Sequence, residues 1–521
     1  MKYLWQVFIL LLGGVSLHAQ QLQFNAPSVL THGRHCDIRS SPGVIGDNYY
    51  ILYYDYSGRK ADRDLPDSYL AVYSTGNGKL IHNVNLNTMV AGIGKDQHIL
   101  FTDVFIWKNR LLGLYIVRSL SGTQLNLYAR LLDEKGSSTG NPALLETLSY
   151  TSSADRKDKS SDVNLMINDL HYAFNDDSSS IAIYYTGDTW KGFDPVMIIT
   201  SLEHISRWKT GIQGNDQLLQ CIPHGENTLL MLVKRSAIAG KALPAYGLLV
   251  AHTSEDKQPS YIPLSLPDKI IQDVRFHINE AGDIVATGTY TLSDKAVRLA
   301  STYGFFALRL DLQGKLLHSD IRPFADGMVS DLAGYKAAHK RKGLGDVIRM
   351  NRVIPLAATG LAAVGESLSR GSEATAYPVV LSPHYDVSGE IVLTGINPTG
   401  EIKWISYLNR YYEDYPSASM PLPFYATGDE NNHLLVIYDE NGEQRTRQQI
   451  FIDHYGNKGI QDREWLPLPR SFNTRSTWIL WNTACNMHND AIMVAYYNTW
   501  KKQLGTLKID LAGGVRITAN P

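Results

Sequence analysis

FFALRLDLQGKLLHS, running from Phe305 to Ser319, holds the pattern on which the fold turns. Phe305 to Leu310 is a short apolar run, Asp311-Leu312-Gln313-Gly314 follows at once, and a second run follows that. Asp or Asn opens a type I turn with its own side chain, and Gly three residues on accepts a positive φ, so the unit reads as strand, tight turn, strand. Ten quartets of this form begin at Asp55, Asp133, Asn279, Asp311, Asp331, Asp386, Asn397, Asp439, Asp453 and Asp510, against about five expected from composition. Those at Asp133, Asp311, Asn397 and Asp453 follow strand-like runs directly.

Working outward, alternation of two recurs in short runs, as at Leu504 to Leu511, and a helical period of 3.6 is almost absent. Ile181 to Tyr185, Tyr303 to Leu310, His433 to Tyr438 and Ile492 to Tyr497 are apolar on both faces, which suits strands inside stacked sheets. The strand and turn units divide the chain near 38–86, 98–147, 163–212, 217–264, 271–323, 348–408, 421–467 and 475–513. A period of about 50 residues with three or four strands is what a propeller blade needs, because each sheet buries its faces only against its neighbours. The expectation is an all-β chain: one β-propeller of seven or eight irregular four-stranded blades over 20–521. Two separate β domains divided near Pro267 are the competing arrangement. Ser330 to Gly345 (SDLAGYKAAHKRKGLG) breaks the rhythm and reads as a short helical insertion.

The hairpins TGNGKLIH (Thr75 to His82), DLQGKLLHS (Asp311 to Ser319) and NPTGEIKW (Asn397 to Trp404) resemble outer strands of bacterial propellers with the pyrroloquinoline-quinone type of repeat. Only the last carries the docking tryptophan, so the resemblance implies blade shape without the quinone, and no cofactor is expected. DVSGEIVLTGINPTGEIKWISYLNRYY (Asp386 to Tyr412) is similar to segments of large secreted bacterial propeller-like proteins, a likeness that implies no activity.

Lys2, the apolar stretch Leu4 to Val15 and Ala19 make a secretory signal peptide over 1–19, with cleavage after Ala19 or one residue later. That stretch is shorter than the roughly 20 residues of a spanning helix, and no later run reaches such a length. No cysteine lies at the cut, which argues against a lipoprotein. The mature chain is expected in the periplasm or outside the cell, with no transmembrane anchor. Cys36, Cys221 and Cys485 are an odd number, so one thiol at least stays unpaired; three buried thiols are the leading expectation, and a Cys36 to Cys485 bridge joining the ends of a ring is the alternative. With 49 basic and 51 acidic residues the net charge is −2, which disfavours nucleic acid as a partner.

Catalytic signatures are missing. No GxSxG is present, GESLSRG around Ser367 being the nearest, and AGIGKD (Ala91 to Asp96) is no phosphate loop. His32, His35, Cys36 and Asp37 are closely spaced but lack a second ligand cluster, and Asp62, Asp64 and Asp67 lack the glycine and distal glutamate of an EF-hand, so no metal is expected. Glu366, Asp386, Glu413 and Asp414 are carboxylates that could face a funnel, as a glycosidase requires. The basic set Lys336, His339, Lys340, Arg341 and Lys342 reads as a solvated face.

Two loops stand out: DTWKGFDP, with Trp190, and NRYYEDYP, with Tyr411, Tyr412, Glu413, Asp414 and Tyr415. Rings stack on apolar sugar faces while carboxylates accept hydroxyl hydrogen bonds. Rings packed between blades would give the same composition. The leading expectation is a secreted, non-catalytic propeller binding an extracellular glycan or protein through loops on one face. A glycoside hydrolase or lyase with funnel-facing carboxylates, and a cell-envelope assembly partner, are the alternatives.

Overall fold

The computed structural model describes residues 22–24, 28–29, 36–55, 66–90, 97–119, 124–149, 170–175, 178–185, 196–208, 212, 216–225, 227–235, 245–252, 259–292, 302–326, 328, 348–356, 360–371, 385–408, 412–413, 424–429, 433–439, 449–468, 477–487, 491–498, 501, 503–511 and 517–518. They form eight antiparallel sheets, seven built on a meander of four consecutive strands and the eighth on three. The sheets are the blades of one propeller: 36–85, 97–149, 170–208, 217–264, 269–323, 348–408, 424–467 and 477–510 for blades 1 to 8. The count is therefore eight, within a few residues of the divisions expected from the strand and turn units. The expected insertion at 330–345 and the signal peptide at 1–19 lie outside the described residues; before the former, Asp326 and Met328 have helical backbone.

The first strands of successive blades meet around the ring, and that of blade 8 (Thr477–Met487) meets that of blade 1 (Cys36–Ile45). Blade 8 supplies three strands from its own segment and takes its fourth from Leu22–Phe24, which pairs with the strand Gln503–Asp510 and aligns Leu22 with Ile509 and Phe24 with Leu507. Ser28–Val29 extends the same edge. At the other end, Ile517–Thr518 adds to the outer strand of blade 7 at Asp462 and Arg463.

Every blade junction holds its own core. Along Asn48–Asp55, Tyr49, Ile51 and Tyr53 pack against blade 8 while Tyr50 and Leu52 pack against blade 2. A strand that alternates between two cores must be apolar throughout, which accounts for the unbroken burial of Ile181–Tyr185 and Leu434–Asp439. The remaining six junctions repeat the arrangement. Burying a large aliphatic or aromatic side chain contributes about 1.5–3 kcal/mol, so eight such layers suffice without a disulfide framework.

Four quartets make one and the same turn. At Asp133, Asn279, Asp311 and Asn397 the Gly amide donates to the first residue's carbonyl at 2.9–3.0 Å, and the side-chain oxygen accepts two further backbone amides. The glycines have φ between 80° and 92°. Asn175 builds the turn without glycine, Ser178 taking φ 56°. The quartets at Asp386 and Asp453 lie within strands instead. Asp453 is fully buried and accepts Nε and the terminal nitrogen of Arg463 at 2.6 and 2.8 Å.

All three cysteines are free. Cys36 and Cys485 join the same core between blades 8 and 1, but Cys36 opens its strand whereas Cys485 stands ninth of eleven in Thr477–Met487. The two thus lie toward opposite faces of the ring, whereas bridged α-carbons lie within about 7 Å. The bridge between the chain ends is not formed.

Candidate functional site

A four-stranded meander returns the chain to the side of the ring on which it began. The link from strand one to two and the link from three to four open on one face; the link from two to three and the passage to the next blade open on the other. On the first face the connections are mostly tight turns, such as Trp107 to Arg110, Ile278 to Ile284, Leu310 to Leu316 and Gly456 to Gly459. On the second face the chain runs from Asp55 to Asp67, Ser149 to Leu170, Tyr185 to Val196, Pro323 to Ile348 and Leu408 to Phe424. The segments with Trp190 and with Tyr411 to Tyr415 thus begin and end on the same face. Tyr412–Glu413 extends blade 6 by pairing with Val387 and Ser388; Trp190, Tyr411, Asp414 and Tyr415 lie outside the described residues, as do the side chains of Tyr412, Glu413, Glu366 and Asp386.

The channel is bounded by the innermost strands, and five of these share a defect. Register shifts fall at Ile38/Ser40, Phe101/Asp103, Leu218/Gln220, Ile271/Asp273 and Met350/Arg352. A bulge adds one residue to a strand and re-aims the side chains around it. The residue after each shift is polar, and it ties one blade to another. Ser40 Oγ donates to Asp103 Oδ1 at 2.8 Å, joining blades 1 and 2. Gln220 bonds both ways with the Phe276 backbone, at 2.9 and 3.1 Å, joining blades 4 and 5. Asp273 accepts the Met350 amide at 2.8 Å, joining blades 5 and 6. Arg352 reaches the Ala426 carbonyl at 3.5 Å, joining blades 6 and 7.

Between blades 7 and 8, Tyr425 Oη donates to Asn486 Oδ1 at 3.1 Å while Asn486 Nδ2 donates to Thr427 Oγ1 at 2.8 Å. Blades 2 and 3 join through the stacked rings of Phe105 and Tyr172, 4.3 Å apart. His171 and Tyr172, on the first strand of blade 3, are solvent-exposed. Burial lowers the His171 pKa, with Arg275 and Arg39 adding to the effect, and raises that of Tyr172.

The innermost strands carry Arg39, Lys269, Arg275, Arg349 and Arg352 against Asp37, Asp103 and Asp273, in a chain of net charge −2. Two of these acids, Asp103 and Asp273, are already engaged. Asp103 accepts Ser40 and the Val104 amide; Asp273 accepts the Val274 and Met350 amides and faces Arg275 at 3.3 Å. Burial raises the Asp103 pKa, opposed by Ser40, Val104 and Arg39. Arg352 differs: among the described residues no carboxylate pairs with it, and burial works against its charge with only Tyr425 acting the other way.

Among the described residues no group of three His, Cys, Asp or Glu side chains could hold a metal. Cys36 and Asp37 open blade 1, while His32 and His35 lie outside the described residues. On the tight-turn face a cleft of about 410 Å³ separates blades 5 and 6, walled by Val285, Pro355 and Leu361 with His277, Glu280 and Arg309 at its polar side. Arg309 is held by Asp283 through Nε at 2.7 Å. The channel ties were not foreseeable from motifs, since each partner comes from another blade and the first strands carry several polar residues apiece.

Among solved structures, the polysaccharide lyase Uly1 is similar at 11% identity, covering 95% of this chain and 94% of that one with a TM-score of 0.35. The β-propeller domain of the Trilobed protease from Pyrococcus furiosus is similar at 8% identity over 84% of this chain and 99% of that one, TM-score 0.38. The GH93 α-L-arabinofuranosidase of Fusarium graminearum is similar at 8% identity over 96% and 97%, TM-score 0.30. At these values the likeness is one of fold and says nothing of activity. No family model and no curated protein matches the chain. Among the described residues no helix is long and apolar enough to cross a membrane.

Proposed function

We propose that this chain is an exported propeller that binds an extracellular ligand, glycan or protein, through the connections of one face, without transforming it. The observation that carries the reading is the polarity of the ring: tight Asx turns dominate one face, and the other receives the long connections, including both aromatic and acidic segments. Such a division matches the general placement of binding residues on loops held by a rigid scaffold. Trp190, Tyr411, Tyr412 and Tyr415 supply stacking surface, and Glu413 and Asp414 supply acceptors. Hydrolysis by a carboxylate pair has less support, because the channel acids Asp103 and Asp273 are engaged by blade-to-blade hydrogen bonds.

The test is a glycan and peptide array probed with residues 20–521, followed by titration of the best binder. Trp190→Ala and the triple change of Tyr411, Tyr412 and Tyr415 to Ala are expected to weaken binding at least tenfold, given about 1–3 kcal/mol per stacked ring, with unchanged thermal unfolding. Binding that survives both changes removes the loop-face reading. Mass spectrometry of the incubated ligand decides the enzymatic alternative: a shortened or unsaturated product would replace the binding module with a hydrolase or lyase.

A further inference from the structure

The central channel offers what a negatively charged ligand needs. Arg352 stands fifth in the nine-residue strand Ile348–Leu356, about midway between the faces, directly after the register shift. Its contact is one long hydrogen bond to the Ala426 carbonyl at 3.5 Å. A guanidinium has five N–H donors in a planar fork that matches a carboxylate. Most of that fork is therefore uncommitted in the described structure.

Leaving a cation half-buried without a counter-charge is costly, and proteins retain such an arrangement where something repays it. Beside Arg352, the linked side chains of Tyr425, Asn486 and Thr427 carry the polar surface onward from blade 7 to blade 8, with Asn486 exposed. Arg349 adds an exposed charge one turn of the pleat away. Across the channel Asp103 and Asp273 are tied into the ring, so neither answers Arg352. Local excess positive charge inside a low-dielectric mouth concentrates anions even when the whole chain is slightly negative.

We infer that the channel is a carboxylate site, with Arg352 as its anchor and the Tyr425, Asn486 and Thr427 cluster as its neutral flank, and that the ligand is an acidic saccharide entering from the face of the long connections. The inference rests on the ligand-binding reading above and names the chemical class of that ligand. A sugar acid fits this surface: its carboxylate meets Arg352, and its hydroxyl groups meet the polar flank of Tyr425, Asn486 and Thr427.

The experiment compares trigalacturonate with its methyl ester, which has the same shape without the charge, by isothermal titration against residues 20–521. The acid is expected to bind at least tenfold tighter than the ester, the scale of a charge-assisted hydrogen bond, and to weaken as salt is raised. Arg352→Gln is expected to erase the preference, Arg352→Lys to keep part of it, and Arg349→Gln, at an exposed position, to reduce it without touching the fold. Thermal unfolding of each variant separates lost recognition from lost structure. Equal affinity for acid and ester, or a preference that survives Arg352→Gln, overturns the carboxylate site. Failure of trigalacturonate to bind at all overturns it too, and neither result touches the loop-face reading, which the array and the Trp190 variant decide alone.

Discussion

Ser40 Oγ donates to Asp103 Oδ1 at 2.8 Å, and the carboxylate that receives it also holds its own neighbour's amide, that of Val104. Both residues follow a bulge in the first strand of their blades. The pair is one link in a belt that continues through Gln220 and Phe276, Asp273 and Met350, and Arg352 and Ala426. Apolar layers give each junction its energy. Directional bonds at the axis set the height at which one blade meets the next, because a shift along the strand would break them.

The belt makes a pH-dependent prediction at Asp103. Burial holds its carboxyl above the ordinary value, about 3.9, so the folded state binds the proton more tightly than the unfolded one. Stability from this group is then complete below about pH 4 and declines as pH rises through the folded-state value. Asp103→Asn keeps an oxygen that can accept from Ser40 and Val104 and removes the charge. The variant should match the parent near pH 3 and exceed it near pH 8, by on the order of 1 kcal/mol. Urea unfolding at the two pH values measures this, and a variant weaker than the parent at pH 8 would mean that Arg39 already repays the ionised form.

The contrast between what was legible and what was not follows from range. Strand positions and blade divisions were readable because burial on both faces leaves unbroken runs such as IAIYY (Ile181–Tyr185), and because Asx turns need only four neighbouring residues, as at Asp311. The turn at Asn175 escaped because Ser178 does the work of glycine there. Asp386 and Asp453 misled because the same four letters fit inside a strand when the acid finds another partner, as Asp453 does in Arg463. The belt was out of reach: nothing near Gln220 in the chain announces that it will bond the backbone of Phe276, 56 residues on. Eight blades could be chosen over seven only once the N-terminal strand was seen to complete the last one.

A thiol prediction follows from the core between blades 8 and 1. Cys36 and Cys485 are free, as is Cys221, so unfolded protein prepared without reductant should titrate three thiols. In the native state burial pushes the Cys485 thiol up to about 12 and Cys221 well above its ordinary value. Because the thiolate is the reactive form, neither should react appreciably with an aromatic disulfide reagent between about pH 7 and 9, values near or below the ordinary thiol pKa. Two missing thiols in the unfolded protein would restore the bridge between the chain ends.

Ring closure is the last and most consequential test. Leu22–Phe24 and Ser28–Val29 pair with the strand Gln503–Asp510, between Gln503 and Ile509, so segments near both ends of the sequence are joined by backbone hydrogen bonds. Removing residues 20–29 deletes those bonds, and at about 1 kcal/mol for each net hydrogen bond the loss is roughly 3–5 kcal/mol. It also leaves Gln503–Asp510 as an open edge, and an unpaired edge is a template for another chain. Unfolding in urea should show the lower midpoint, and size-exclusion chromatography should show the truncated protein self-associating at concentrations where the full ring does not. A synthetic peptide spanning 20–29 should reverse both effects by restoring the pairing; if the truncated ring is as stable as the parent and the peptide does not bind, closure lies in the apolar core around Tyr49, Tyr53 and Met493 and not in the borrowed strand.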